Sequence, residues 1–215
     1  MTADSPVVIV DYEAGNILSV ARVFDHIGAK ITITNNADEI ASAERIVLPG
    51  VGAFGKAMDE LNRQGLVDSI QRFAKSGRPF LGICLGMQMM LESSEEFGRH
   101  DGLGLIKGHV NAIPSTAVDG TPHKIPHIGW NNLLPAPNTH WKDTVLADQE
   151  SSLSLYFVHS FMAEPKAPED RLANTDYNGH KLCAAIRKDN LYGFQCHPEK
   201  SGEAGINILR NFLAL

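Results

Sequence analysis

Gly82-Ile83-Cys84-Leu85-Gly86 sets a cysteine between two glycines, after an apolar run that reads as a buried strand and before one that reads as a helix. The pattern predicts a tight strand-to-helix turn that exposes a reactive sulfur at the top of a sheet. Side chains two positions either side of Cys84 would collide with neighbouring elements in so sharp a turn, and glycine removes them. A cysteine at a helix N-terminus faces unpaired N–H groups and the positive end of the helix dipole, which favour thiolate. The Leu85 N–H would point at an oxyanion formed nearby. The bland alternative is a small buried hydrophobe, the usual fate of a lone cysteine.

A thiol nucleophile needs a base that holds its proton and later protonates the leaving group. Of nine histidines, His197 stands out, in Gln195-Cys196-His197-Pro198-Glu199 between a strand and the last helix. It is remote from Cys84 along the chain, so only folding can join them, through loops at the C-terminal ends of neighbouring parallel strands. In an extended segment Glu199 projects to the same side as His197, with Pro198 restraining the backbone between them. A carboxylate there fixes the imidazole tautomer and stabilises the imidazolium. The alternative is a loop histidine beside a solvated glutamate.

Two other patterns compete. Gly50-Val51-Gly52-Ala53-Phe54-Gly55 matches a dinucleotide fingerprint, but it does not occupy the first strand–helix turn, and no acidic residue ends the next strand. A better use of that backbone is a second oxyanion N–H, from Val51 or Gly52. His123 and His127 are four apart, yet Pro126 argues against the helix that would pair them on a metal. Neither a metal nor a cofactor is expected.

Positioning these groups falls to an alternating first half. Val7 to Val10, Lys30 to Thr34, Arg45 to Leu48 and Pro79 to Ile83 read as strands. Helices are expected from Asn16 to Ile27, from Phe54 to Phe73 with a break at Gly65, and from Leu85 to Ser93. Strand-like runs then crowd together at Leu103 to Ile113, Lys124 to Leu133, Leu153 to Phe161, Leu182 to Arg187 and Tyr192 to Cys196, before a last helix over Gly205 to Leu213. The fold class is α/β, a doubly wound, mostly parallel sheet with a mixed second half, in one domain over 1–215.

Composition excludes several classes. At 215 residues, 43% hydrophobic and 20% charged, the chain has ample material for a core, and its net charge of −6 provides no basic field for nucleic acid or anionic membrane. The longest apolar run, Leu81 to Leu91, is interrupted by Gln88 and too short to span a bilayer. Asp4 and the short run after it give no sign of a secretion signal. Three cysteines, odd in number and sparse, argue against a disulfide framework and point to a reducing cytoplasm.

Taken together, Gly82 to Gln88 and His197-Pro198-Glu199-Lys200-Ser201 resemble the triad glutamine amidotransferases, with Cys84, His197 and Glu199 in that family's chain order. The resemblance also runs through Asp11-Tyr12, Gly15-Asn16, Pro49 to Phe54, Lys124 to Asn131 and Tyr156 to Phe161, so it covers essentially the whole chain. Within the family it is strongest to the glutaminase subunits that serve histidine biosynthesis. Cys196 departs from the pattern, standing where relatives carry an aromatic; it should lie opposite His197 and face packing.

The resemblance implies hydrolysis of glutamine through a γ-glutamyl thioester on Cys84, with the oxyanion on the N–H groups of Val51 and Leu85. It implies substrate contacts at Gly52, Gln88 and Glu96 and along the backbone of His159, Ser160 and Phe161. It implies a (β/α)8-barrel cyclase as heterodimer partner and ammonia acceptor, met at or near Asn16, Pro126, His127, Ile128, Trp130 and Lys200. A glutaminase nearly silent until its partner binds is part of the same implication, with the Gly50-Val51-Gly52 peptide planes turning to complete the oxyanion site. Two alternatives stand beside it: a glutaminase feeding a different synthase, and a non-catalytic allosteric subunit that keeps the fold.

Overall fold

Val7 to Val10, Ile46 to Leu48 and Phe80 to Ile83 are apolar on both faces apart from Gly82, as strands covered by helices on either side must be. The computed structural model describes residues 6–13, 15–149 and 153–215. Asp4 and the first five residues of the expected domain lie outside them. The first half runs β1 (Pro6–Val10), α1 (Ile17–His26), β2 (Lys30–Thr34), α2 (Ala37–Ser42), β3 (Ile46–Leu48), α3 (Phe54–Arg63), α4 (Val67–Ala74), β4 (Phe80–Ile83) and α5 (Leu85–Met89). Next come β5 (Ser93–Ser94), β6 (His100–Asp101), β7 (Gly108–Ala112), β8 (His127–Asn132), β9 (Leu134–Pro135), β10 (Ser154–His159) and β11 (Phe161–Pro165). The chain ends with β12 (Arg171–Tyr177), β13 (His180–Lys188), β14 (Leu191–Phe194) and α6 (Gly202–Leu213).

The described residues form an eight-stranded sheet in the order β2-β1-β3-β4-β14-β13-β12-β9, with smaller sheets β10-β8 and β11-β7-β5-β6 beside it. From β2 to β14 the pairs are parallel; from β14 to β9 they are antiparallel. The doubly wound sheet with a mixed second half is therefore present. Apolar layers cover both faces, one around Phe24, Phe157, Phe194 and Phe212, the other around Phe54, Phe73 and Phe80. Among the described residues no helix is long and apolar enough to cross a membrane.

Several boundaries differ from the periodicity. The helix after Cys84 stops at Met89 rather than Ser93, because a return loop claims its carbonyls: Leu103 N–H bonds to Met89 O at 2.8 Å, and Leu105 N–H to Met90 O at 2.9 Å. Leu85 to Leu91 is buried throughout, so no amphipathic stripe marks that end. Residues 103–107 form this loop and not the start of a strand, while the run over Leu153 to Phe161 divides at Ser160 into β10 and β11. Helix α2 and strand β12 carry weak apolar patterns; α2 is fixed by Asn36, whose side chain accepts from the N–H groups of Asp38 and Glu39.

Candidate active site

β4 and β14 are neighbours, with Gly82 beside Gly193 and Ile83 beside Phe194, so their C-terminal ends deliver Cys84 and the Gln195-Cys196-His197 segment to one edge. Cys84 has φ 54° and ψ −110°, a left-handed conformation that costs a non-glycine residue roughly 1–3 kcal/mol. Its backbone is held there: Cys84 N–H donates to Phe194 O at 2.7 Å, and Gln88 N–H to Cys84 O at 3.2 Å. The flanking glycines are required by space. A Cβ on Gly86 would overlap Leu48 O, and one on Gly82 would sit 2.8 Å from Met87 N.

His197 is fully buried, and its Nδ1 donates to Glu199 Oε1 at 2.7 Å. The segment between them is not extended. Pro198–Lys200 forms a 3-10 turn, entered by a proline with fixed φ and no N–H to satisfy, and closed by Lys200 N–H on His197 O at 2.9 Å. That turn, rather than strand alternation, brings the carboxylate to the imidazole. Asn16 Nδ2 donates to the same Glu199 Oε1 at 3.4 Å. With Nδ1–H committed to the carboxylate, Nε2 is the free nitrogen, and among the described residues it is buried without a hydrogen-bond partner. Burial opposes charge on this ring, but the Cys84 sulfur and the Glu199 carboxylate outweigh it and push the His197 pKa up to about 9.

Cys84 and His197 share a cavity of about 440 Å³, which is also lined by Val51, Gly52, Leu85, Gln88, Glu96, Phe97, Pro126, Val158, His159, Ser160 and Phe161. The expected oxyanion and substrate residues therefore all reach it, with Glu199 behind His197. A larger cavity of about 670 Å³ around Glu92, His109, Glu164 and Arg171 contains none of these groups.

Several polar groups in and beside the cavity, His197 Nε2 excepted, are already bonded within the chain. Leu85 N–H donates to Gly50 O at 3.3 Å, and Tyr12 Oη donates to Pro49 O at 2.8 Å. Burial raises the Tyr12 pKa, so its hydroxyl stays a donor. Glu96 Oε2 accepts Phe54 N–H at 2.6 Å, capping α3, whose own N-cap residue Ala53 has no side-chain oxygen. A carboxylate in that position opposes a phosphate there, the reverse of what a dinucleotide loop needs. His159 Nδ1 bonds to Phe161 O at 2.9 Å, and its Nε2 to His127 Nδ1 at 3.0 Å. Burial pushes these two pKa values down, to about 4 for His127 and about 3 for His159, so both rings are neutral near pH 7.

The expected partner residues divide. Ile128 and Trp130 are 58% and 59% exposed, and Pro126 and Lys200 are also at the surface. Asn16 and His127 are buried, at 6% and 3%; in the free chain they serve Glu199 and His159 rather than presenting a surface. Tyr12 and Gln195 stand inside recognisable motifs, but no spacing signals their contacts with Pro49 and Cys84. Phe97 and Val158 at the cavity carry no polar signal at all.

Residues 8–215 match the family model described as glutamine amidotransferase class-I. The chain is 52% identical over 212 residues to imidazole glycerol phosphate synthase subunit HisH 1 of Legionella pneumophila (strain Lens), covering 98% of this chain and 100% of that one. To the HisH subunit of Wolinella succinogenes it is 44% identical, covering 95% and 97%. Among solved structures, PurLQS from Thermotoga maritima aligns with a TM-score of 0.74 at 20% identity, over 97% of each chain. With an elbow cysteine, a carboxylate-held histidine and a family match over nearly its full length, the chain belongs to the class-I glutamine amidotransferases.

Proposed function

We infer that this chain, as a single catalytic domain, is the glutaminase subunit of imidazole glycerol phosphate synthase, hydrolysing glutamine to glutamate and ammonia for histidine biosynthesis. The observation that carries this reading is His197: its Nδ1 is fixed on Glu199 at 2.7 Å, and it shares one cavity with the elbow sulfur of Cys84. In that arrangement the Cys84 thiolate attacks the side-chain amide carbon of glutamine. The tetrahedral oxyanion rests on N–H groups of Leu85 and Val51. His197 gives its proton to the departing ammonia, leaving a γ-glutamyl thioester, then takes a proton from the attacking water, which releases glutamate and restores the Cys84 thiolate beside a protonated His197. Glu199 keeps the imidazole oriented throughout. Glutamine is zwitterionic, and Gly52, Gln88, Glu96 and the backbone from His159 to Phe161 offer polar groups for its two ends.

The same reading gives the ammonia to a (β/α)8-barrel cyclase in the cytoplasm, docked over Pro126, Ile128, Trp130 and Lys200, with Asn16 and His127 just beneath. Exposed Trp130 is the aromatic anchor, and Lys200 is free to meet a carboxylate. The test is co-purification with the cyclase, followed by a glutaminase assay with and without the cyclase ligand. Activity that needs Cys84 and rises with liganded cyclase supports the reading. Its absence in the complex, or its survival in Cys84→Ala, overturns it.

A further inference from the structure

Gln195 is fully buried at the end of β14, its backbone N–H bonded to Ala184 O at 2.9 Å, and the chemistry above gives it no part. Its Nε2 lies 3.7 Å from Cys84 Sγ, and its Oε1 accepts from Gln88 Nε2 at 2.9 Å. The orientation of both amides follows from their surroundings. A backbone carbonyl can only accept, and Gln88 lies 3.1 Å from Phe161 O, so Gln88 must turn its Nε2 that way. The same Nε2 meets Gln195, whose facing atom must then be oxygen. That leaves the Gln195 N–H for the sulfur, the one side-chain amide among the described residues that donates to it.

We propose that Gln195 is a positioning residue: its amide N–H holds the Cys84 sulfur at the cavity wall, and Gln88 holds Gln195. The fixed backbone at Cys84 sets where the side chain starts but leaves rotation about its Cα–Cβ bond, and a donor on Sγ selects one orientation. Hydrogen bonds to a charged acceptor are stronger than those to a neutral one, so the contact strengthens as the sulfur becomes nucleophilic. The proposal rests on the glutaminase reading only in taking Cys84 as the nucleophile.

The experiment is alkylation of Cys84 by iodoacetamide in the full chain, followed by mass spectrometry from about pH 5 to about pH 9. Buried Cys183 and Cys196 serve as internal controls. Gln195→Glu keeps the shape and the acceptor for Gln88 but turns a carboxylate oxygen to the sulfur. Its Cys84 alkylation profile should move up by about one pH unit or more, slowing the reaction about tenfold at neutral pH. In the cyclase complex Gln195→Leu should lower kcat while leaving KM for glutamine within about twofold. A folded Gln195→Glu whose alkylation profile coincides with wild type overturns the proposal. If neither variant folds, 15N spectra of wild type and Cys84→Ala decide: a displaced Gln195 side-chain amide supports the contact, and an unmoved one overturns it. Gln195-dependent alkylation without glutaminase activity in any complex would sink the functional reading and leave this one standing.

Discussion

The Leu85 amide donates to the Gly50 carbonyl across 3.3 Å. In the thioester chemistry proposed above that N–H belongs to the oxyanion, so in the free chain it is engaged by the protein's own backbone. A peptide plane points its N–H opposite its C=O, so the Gly50–Val51 plane that offers oxygen to Leu85 turns the Val51 N–H away. Rotating that one plane frees Leu85 and delivers Val51 together. Gly52, the residue after that plane, has φ 102°, a conformation that favours glycine. Gly50→Ala is a poor probe of this rotation, because the new Cβ would lie 2.5 Å from Tyr12 Oη and report crowding instead.

Tyr12 provides a cleaner probe. Its hydroxyl anchors Pro49 O, one peptide before the plane that must turn. Tyr12→Phe removes that anchor, worth about 1 kcal/mol, without filling new space. The expected outcome is a rise of about fivefold in cyclase-free glutaminase activity, with the activation ratio falling to match. Steady-state assays with and without liganded cyclase check it; unchanged basal activity counts against anchoring.

The elbow tolerates no side chain at position 86. An alanine Cβ there would overlap Leu48 O, which is backbone of a central strand and cannot swing aside. Gly86→Ala should destabilise the chain by more than about 3 kcal/mol or leave it insoluble. A new Cβ on Gly52 meets no atom within 4 Å, so Gly52→Ala should cost only the strain of its positive φ, about 1 kcal/mol. Thermal unfolding of the two variants separates these effects.

The meeting of Cys84 and His197 in one cavity was readable because the signals are local: an elbow needs its glycines within two residues of Cys84, and Glu199 stands two residues from His197, although a 3-10 turn and not the expected extended backbone joins them. The parallel half was readable for a similar reason, since strands such as Ile46–Leu48 must be apolar on both faces. What pattern could not reach was set by partners distant in sequence. The helix after Cys84 ends where residues 102–106 return to take its carbonyls, and Gln88, which reads as one more turn of helix, is fixed by Phe161 and Gln195. Asn16 and His127 stand in stretches expected to meet a partner, yet their side chains turn inward, where Glu199 and His159 offer buried hydrogen bonds.

Protonation ties stability to pH from two directions. The folded pKa of His197, about 9, lies above the ordinary histidine value of 6.5, so its contribution is fully present below pH 6.5 and is lost as pH rises to 9. Those of His127 and His159, about 4 and about 3, lie below 6.5, so the unfolded chain binds protons that the native chain refuses as pH falls from 6.5 toward 4. Each such proton contributes a slope of about 1.4 kcal/mol per pH unit. Stability should therefore be greatest near pH 6.5 and decline on both sides. Denaturant melts across pH check this: Glu199→Gln should flatten the alkaline limb, and His127→Gln the acid limb.

Trp130 separates docking from chemistry. Its ring is 59% exposed on β8 and meets Tyr156 edge to face at 6.2 Å, so removing it opens no core cavity. In isolation Trp130→Ala should melt within about 0.5 kcal/mol of wild type. If the cyclase seats on this face, the same change removes an aromatic anchor worth about 2 kcal/mol and weakens Kd about 30-fold. Glutaminase activity should then recover at saturating cyclase, because the Cys84–His197 cavity is untouched. Titration calorimetry and an activity titration over cyclase concentration measure the two halves, and an unaltered Kd would move the docking face away from Trp130.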